Sequence, residues 1–174
     1  SEKDEIRDEL EKILRRVEEL NRRIRKKLEE IRKEVERLLR EIHEKLEEVV
    51  KEVEEKLRER PDSRIVKELK DKLRESIKET ADVLRKLEKK LRDVIREIRK
   101  TNKEVEEKLR DVIRRVDKIE ELKRRVEEVL KRARESLREL EEDVRRVLEE
   151  ARKELERNRE RVERVLRRLE ETVR

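Results

Sequence analysis

Residues 6–31 read IRDELEKILRRVEELNRRIRKKLEEI, and the spacing of their aliphatic residues decides the fold. These residues recur at steps of three and four, and the pattern repeats after 18 positions, so that Ile6 maps onto Ile24 and then onto Ile42. Eighteen residues over five turns is about 3.6 residues per turn, the pitch of a straight α-helix. A seven-residue repeat favours a left-handed supercoil and an 11-residue repeat a right-handed one. The repeat therefore predicts long, straight, untwisted helices.

The repeat first fails near residue 61. Leu46 shifted by 18 positions falls on Arg64, so the apolar phase is lost. Residues 60–63 read RPDS. Proline disfavours helix in the residue before it, and Asp62 or Ser63 can cap the helix that follows. The first connection is predicted here.

The second failure lies near residues 116–117. Two stretches resemble a helix-capping box, TNKE at 101–104 and DKIE at 117–120. The apolar phase continues unbroken through the first of them. It is lost after the second connection, because Leu109 shifted by 18 positions falls on Glu127. The turn is therefore predicted at the second stretch.

These breaks predict an all-α fold, an antiparallel up-down-up three-helix bundle that forms a single domain. Short connections force neighbouring helices to run antiparallel. At about 1.5 Å per residue, each helix is on the order of 80–85 Å long. The handedness of the bundle stays open, because either winding buries the same stripes. The predicted ranges are 1–174 for the domain, 2–59, 63–115 and 118–173 for the helices, and 60–62 and 116–117 for the loops.

The composition excludes several classes of function. Charged residues make up 62% of the chain and hydrophobic residues 31%, and there is no glycine, cysteine or aromatic residue. Disulfides, thiolate metal sites, glycine-rich phosphate-binding loops and aromatic stacking platforms are therefore absent. Apolar residues never run more than two in a row, too few for a membrane span or a signal peptide. We expect a soluble protein with no natural cellular location that is expressed recombinantly in the cytoplasm.

The distribution of charged residues indicates which partners the chain can bind. Many opposite charges stand four residues apart on the outer faces, such as Glu29–Lys33 and Glu41–Lys45. The net charge is +6, and the excess lies in residues 61–116, which carry 19 basic and 13 acidic residues. This bias predicts at most weak, salt-sensitive adhesion to polyanions, with no specific nucleic-acid recognition and no membrane binding. One apolar stripe per helix predicts a monomer that requires no partner, although exchange of helices between chains stays open.

Uncharged polar residues on or beside the apolar stripes are the specific polar signals. If the chain folds back about its first loop, the numbers of facing residues total about 123. That register places Asn21 opposite Asn102, and His43 opposite Thr80. We predict two structural polar layers, one formed by Asn21, Asn102, Thr101 and Ser136, the other by His43, Ser76, Thr80 and Asn158.

Such layers would select one register of the bundle. A buried amide without a partner costs roughly 1–3 kcal/mol, so a shifted register that places Asn21 opposite Leu or Val is disfavoured. The alternative interpretation is that these residues merely lower the hydrophobicity of half-exposed positions.

Catalytic and metal-binding roles find little support in the sequence. His43 is the sole histidine, and a catalytic histidine needs an oriented partner and a pocket, which a tightly packed aliphatic core does not leave. Di-iron bundles use Glu-x-x-His pairs, but Arg40 stands three residues before His43. We expect no catalytic, cofactor-binding or metal-binding residue and no cofactor.

The 18-residue repeat, the glycine-free aliphatic core, the Lys/Glu/Arg surface and the Asn pair together resemble computationally designed, parametrically generated, untwisted three-helix bundles. The predicted Asn pair is similar to the buried hydrogen-bond networks of such designs. The resemblance implies a hyperstable scaffold with no natural biochemical function and no enzymatic activity. The alternative is a self-assembling helical building block or a coiled-coil-type interaction module. One departure is that designed loops often contain glycine, which neither loop has here.

Overall fold

The computed structural model describes residues 1–172, and within that range it contains three α-helices and no β-strand. The helices are α1 (Glu2–Arg58), α2 (Ser63–Val116) and α3 (Glu120–Thr172), with 57, 54 and 53 residues. The protein is therefore an all-α three-helix bundle. The last residues of α1 and α2 differ by one from those the repeat predicts, the first residue of α3 differs by two, and residue 173, the predicted end of α3, lies outside the described residues.

The first connection combines a left-handed residue with a side-chain cap. Arg60 adopts a φ of 54°, which ends α1 and is unusual for a residue with a Cβ. The following Asp62 accepts a hydrogen bond at Oδ1 from the backbone N–H of Ile65 over 2.9 Å. Asp62, not Ser63, is therefore the residue that caps the start of α2.

The second connection is held by backbone hydrogen bonds. The N–H of Ile119 donates to the carbonyl of Val116 over 2.8 Å, and the N–H of Lys123 donates to the carbonyl of Ile119 over 3.0 Å. Residues 117 and 118 form a turn. As a result α3 begins at Glu120, two residues later than the sequence predicts.

Contacts between Cα atoms divide the chain into two compact units, each containing a segment of every helix. The first unit comprises Ser1–Glu30 and Lys90–Val147. The second comprises Ile31–Lys89 and the described residues from Leu148 onward.

The first unit contains a hydrophobic cluster with aliphatic side chains from all three helices. Ile6 of α1 and Leu109 of α2 are fully buried in it, and Val126 of α3 is too. Burying one Leu or Ile side chain stabilises a fold by about 1.5–3 kcal/mol. The buried members are Ile6, Leu10, Ile13, Val17, Val105, Leu109, Val112, Val116, Leu122, Val126, Val129 and Ala133.

The second unit contains a similar cluster. Leu46 of α1, Leu73 of α2 and Leu169 of α3 are fully buried in it. Each helix therefore contributes its apolar stripe to the core of the unit. The buried members are Leu46, Val50, Val53, Val66, Leu69, Leu73, Val162, Val165 and Leu169.

Candidate functional site

A chain of polar contacts joins α1 to α3 in the first unit. The half-buried Asn21 donates from Nδ2 to Oγ of Ser136 over 2.6 Å. Its Oδ1 accepts a hydrogen bond from Nε of Arg25 over 2.6 Å, and Nη1 of Arg25 reaches Oδ2 of Asp143 at 3.2 Å. The structure thus brings together two members of the first predicted layer, Asn21 and Ser136. It also adds two charged residues that the sequence analysis did not assign to the layer.

Asn102 does not join this chain of contacts. Its Oδ1 is buried and has no hydrogen-bond partner among the described residues. The predicted hydrogen bond between Asn21 and Asn102 is therefore not found among the described residues. The amide of Asn21 has its partners in Ser136 and Arg25 instead. Thr101, next to Asn102, is buried with 6% of its surface exposed.

The second predicted layer does not form a network between helices. Thr80 is buried, but its Oγ1 donates to the backbone carbonyl of Ser76 over 2.9 Å, one turn earlier on the same helix. A buried threonine can satisfy its hydroxyl in this way without a partner on another helix. Asn158 is half-buried and forms no hydrogen bond with the other three members in the described part of the chain.

His43 lies on the surface and not in the second layer. Its side chain is 55% exposed, and its Nε2 is 3.7 Å from Oε1 of Glu47, one turn further along α1. Glu47 also pairs with Nη1 of Arg161 on α3. The predicted place of His43 in a half-buried layer is thus wrong, because the stripe edge that it occupies turns toward solvent. At this position the imidazole of His43 lies near the carboxylate of Glu47, and Arg161 also forms an ion pair with that carboxylate.

Ion pairs between α1 and α2 are contacts that the sequence did not predict. Nη1 of Arg115 lies 2.9 Å from Oε2 of Glu9, and Arg16 pairs with Glu104. Spacing along the sequence predicts charge pairs within one helix only. The signal that could have found the others is the register predicted from the first loop, in which the numbers of facing residues total about 123.

One predicted pair within α1 is replaced by other partners. Glu41 pairs with Arg37 at 3.2 Å and not with Lys45, whose Nζ lies 3.9 Å from Oε2 of Glu79 on α2. A residue at the edge of the apolar stripe can reach the neighbouring helix, and Lys45 does so. The four-residue spacing of opposite charges within α1 therefore did not predict the ion-pair partner of Lys45.

The second unit also has incompletely covered apolar surface. No residue of α1 from Ile31 to Glu41 is fully buried. An open groove between α2 and α3 is lined by apolar side chains, and charged residues of α3 flank it. The half-buried aliphatic residues of the α1 segment are Ile31, Val35, Leu38 and Leu39, and those of the groove include Ile77, Ala81 and Leu84.

The described residues contain no group of three or more His, Cys, Asp or Glu side chains placed to hold a metal ion. Over residues 1–172, no helix is long and apolar enough to cross a membrane.

Comparison with known proteins gives a structural similarity and no family. No protein-family model matches the chain, and no curated protein does. Among solved structures, the chain is similar to a protein described as a computationally designed three helix bundle. The two share 17% sequence identity with a TM-score of 0.44, over 98% of this chain and 86% of the other.

Proposed function

We propose that the chain is a de novo designed structural scaffold, a hyperstable, antiparallel, untwisted three-helix bundle without a natural biochemical function. The observation that carries this proposal is the uniform core of each unit. All three helices contribute to it, and its members are Leu, Ile, Val and Ala. Idealised helices with such cores are typically hyperstable.

Ion pairs within the first unit support the antiparallel arrangement. Along α1, Glu9 pairs with Arg115 and Arg23 pairs with Glu97, so position on α2 falls as position on α1 rises. The 18-residue repeat supports straight helices. Ile6 and Ile24 stand 18 positions apart on α1, and both are fully buried.

The proposal assigns no catalytic role to the sole histidine. His43 is more than half exposed, and Glu47 is shared between it and Arg161. A general acid or base needs an oriented partner at a site where substrate binds.

Thermal unfolding followed by circular dichroism tests the scaffold proposal. We expect an unfolding midpoint above about 90 °C, the usual threshold of hyperstability. A midpoint below about 70 °C would contradict it, since mesophilic domains commonly unfold at about 45–65 °C.

A second candidate function, a self-assembling helical building block, is favoured by the α1 segment from Ile31 to Glu41, which belongs to the second unit. Val35, Leu38 and Leu39 are only half-buried there, although they continue the apolar surface of the helix. Contiguous exposed apolar surface is typical of association sites.

Sedimentation velocity over a hundredfold range of concentration tests this candidate. A sedimentation coefficient that rises with concentration in the parent chain, and no longer does so in a Leu38→Lys variant, would favour the building block. Arg37→Lys is the control on the neighbouring exposed position. Constant values for all three proteins would favour the scaffold.

A further inference from the structure

The outer face of α2 in the first unit carries a row of cations that the proposed scaffold does not require. Positions 92, 96, 100, 103, 107, 110 and 114 follow one another at steps of three and four, so they share one face of the helix. All seven side chains are exposed, and six of them are basic. We call this set the α2 basic row: Arg92, Arg96, Lys100, Lys103, Arg110 and Arg114.

Nearby acidic residues of α2 do not neutralise the row, because α1 engages them. Glu97 pairs with two cations of α1, Arg23 and Lys27, and the Nζ of Lys27 lies 3.1 Å from Oε2. Glu104 pairs with Arg16 of α1. These carboxylates therefore face the neighbouring helix and not the outer face.

The remaining acidic residues leave most of the row uncompensated. Glu106 pairs with Arg134 of α3 at 3.2 Å. Asp93 lies 3.8 Å from Arg96, Glu107 stands within the row, and the exposed Asp111 follows Arg110 at the edge of the row. Among the described residues, no ion pair engages the other five cations, Arg92, Lys100, Lys103, Arg110 and Arg114.

The dimensions of the row suit a rigid linear polyanion. Positions 92 and 114 are 22 residues apart on one helix, which at about 1.5 Å per residue spans about 33 Å. One turn of duplex DNA is about 34–36 Å long, and the duplex carries one negative charge per about 1.7 Å of axis. Lys and Arg side chains bind phosphate oxygens through charge-assisted hydrogen bonds.

The cationic side chains of the α2 basic row are suited to contact the phosphate backbone of a nucleic acid and not its bases. The chain has no aromatic residue to stack on a base. The row itself has no apolar side chain that could insert into a membrane interface. We propose that the α2 basic row binds the phosphate backbone of duplex nucleic acid without reading its sequence. This inference is independent of the proposed scaffold function.

Fluorescence anisotropy with a labelled 24-base-pair duplex DNA of mixed sequence tests the proposal. The full chain is titrated at several salt concentrations between about 0.03 and 0.2 M. If all six cations contact phosphates, log K falls with log salt at a slope of about −5. The test variant is Arg92→Gln/Lys100→Gln/Lys103→Gln/Arg110→Gln, which removes four cations from the row.

The matched control removes four exposed cations elsewhere in the same unit, on α1 and α3. Both variants lower the net charge from +6 to +2, so they differ only in where the charge is lost. The control is Arg22→Gln/Lys26→Gln/Arg124→Gln/Lys131→Gln. Circular dichroism checks that both variants stay helical. If either variant fails to fold, a smaller pair replaces them: the test variant is then Lys100→Gln/Lys103→Gln, and its control is Lys26→Gln/Lys131→Gln.

We expect the test variant to bind at least about tenfold more weakly at about 0.05 M salt, with the slope reduced by about 3 to 4, while the control keeps a slope within about 1 of the parent. Equal weakening of both variants would overturn the proposal, because net charge alone would then explain binding. So would the absence of duplex binding at about 0.05 M salt, including the case in which heparin or anionic vesicles bind instead.

Discussion

Asn21 on α1 donates its side-chain amide to the hydroxyl of Ser136 on α3 over 2.6 Å, and this contact links two helices through half-buried polar groups. Arg25 holds the other end of the same amide at Oδ1. Both hydrogen-bonding ends of one side chain are therefore engaged, one by a second helix and one by its own. Stability should depend on this residue more than on a surface polar residue.

A double-mutant cycle on Asn21 and Ser136 measures the contact. Asn21→Ala and Ser136→Ala should each lower the free energy of unfolding by about 1 kcal/mol, because each leaves a half-buried polar group unpaired. The double variant should lose less than the two losses combined, by about 0.5–1 kcal/mol. Guanidinium unfolding gives these values, and strict additivity would show that the two side chains do not interact.

Replacing Asn102 should raise the free energy of unfolding, whereas replacing Asn21 or Ser136 should lower it. The Oδ1 of Asn102 is buried without a partner among residues 1–172, so Asn102→Leu removes an unsatisfied acceptor and is expected to stabilise the fold by about 1 kcal/mol. Asn158→Leu is the matched control, since Asn158 is also half-buried but has no such atom. The same guanidinium titration compares them. A loss of stability in Asn102→Leu, with none in the control, would indicate that Asn102 has a partner in solution.

Shortening a leucine to alanine should lower the free energy of unfolding more in the hydrophobic core than in the α1 segment from Ile31 to Glu41, where the aliphatic side chains are only half-buried. Leu109 is fully buried, so Leu109→Ala is expected to cost about 2–5 kcal/mol. Leu39 is only half-buried, so Leu39→Ala should cost about 1 kcal/mol or less. Guanidinium unfolding at fixed protein concentration compares the two. Equal costs would mean that the segment is covered in solution.

The first connection offers a change that should stabilise the protein. Arg60 has a φ of 54°, a region that glycine occupies without steric cost. We expect Arg60→Gly to raise the free energy of unfolding by about 0.5–1 kcal/mol, net of the added flexibility of the unfolded chain. Asp62→Ala at the adjacent cap should lower it by about 1 kcal/mol. A destabilising Arg60→Gly would place Arg60 outside the left-handed region in solution.

His43 should be dispensable for stability. Its side chain is 55% exposed, and its contact with Glu47 is a surface pair at 3.7 Å. Surface pairs of this kind contribute little. His43→Gln is therefore expected to change the free energy of unfolding by less than about 0.5 kcal/mol. A loss above about 1 kcal/mol would instead place His43 in a buried polar layer.

The spacing of aliphatic residues predicted three helices because helical periodicity is a property of many residues at once. A single misplaced residue cannot hide an apolar stripe that recurs from Ile6 to Leu57. Helix ends depend on one or two local contacts, and there the sequence was less informative. The second connection was predicted from the stretch DKIE at 117–120, but the side-chain pattern did not show that backbone hydrogen bonds delay the start of α3 until Glu120.

Polar contacts were harder to predict because a hydrogen bond needs donor and acceptor within about 3 Å, whereas register arithmetic locates a residue only to within a helical turn. Asn21 illustrates the difference. Arg25 stands four residues later on the same helix, and it competes for the amide oxygen whatever lies on α2. His43 shows the same limit, since one position along the helix moves a side chain by about 100° around the axis.

In the proposed scaffold, one chain supplies all three helices of the bundle and buries its own apolar stripes. Light scattering after size-exclusion chromatography tests it most directly, over a hundredfold range of loading concentration in about 0.15 M salt. The scaffold proposal predicts a mass of 21.7 kDa at every concentration. A mass of twice that value, or one that grows with concentration, would contradict it and would make the helical building block the better description.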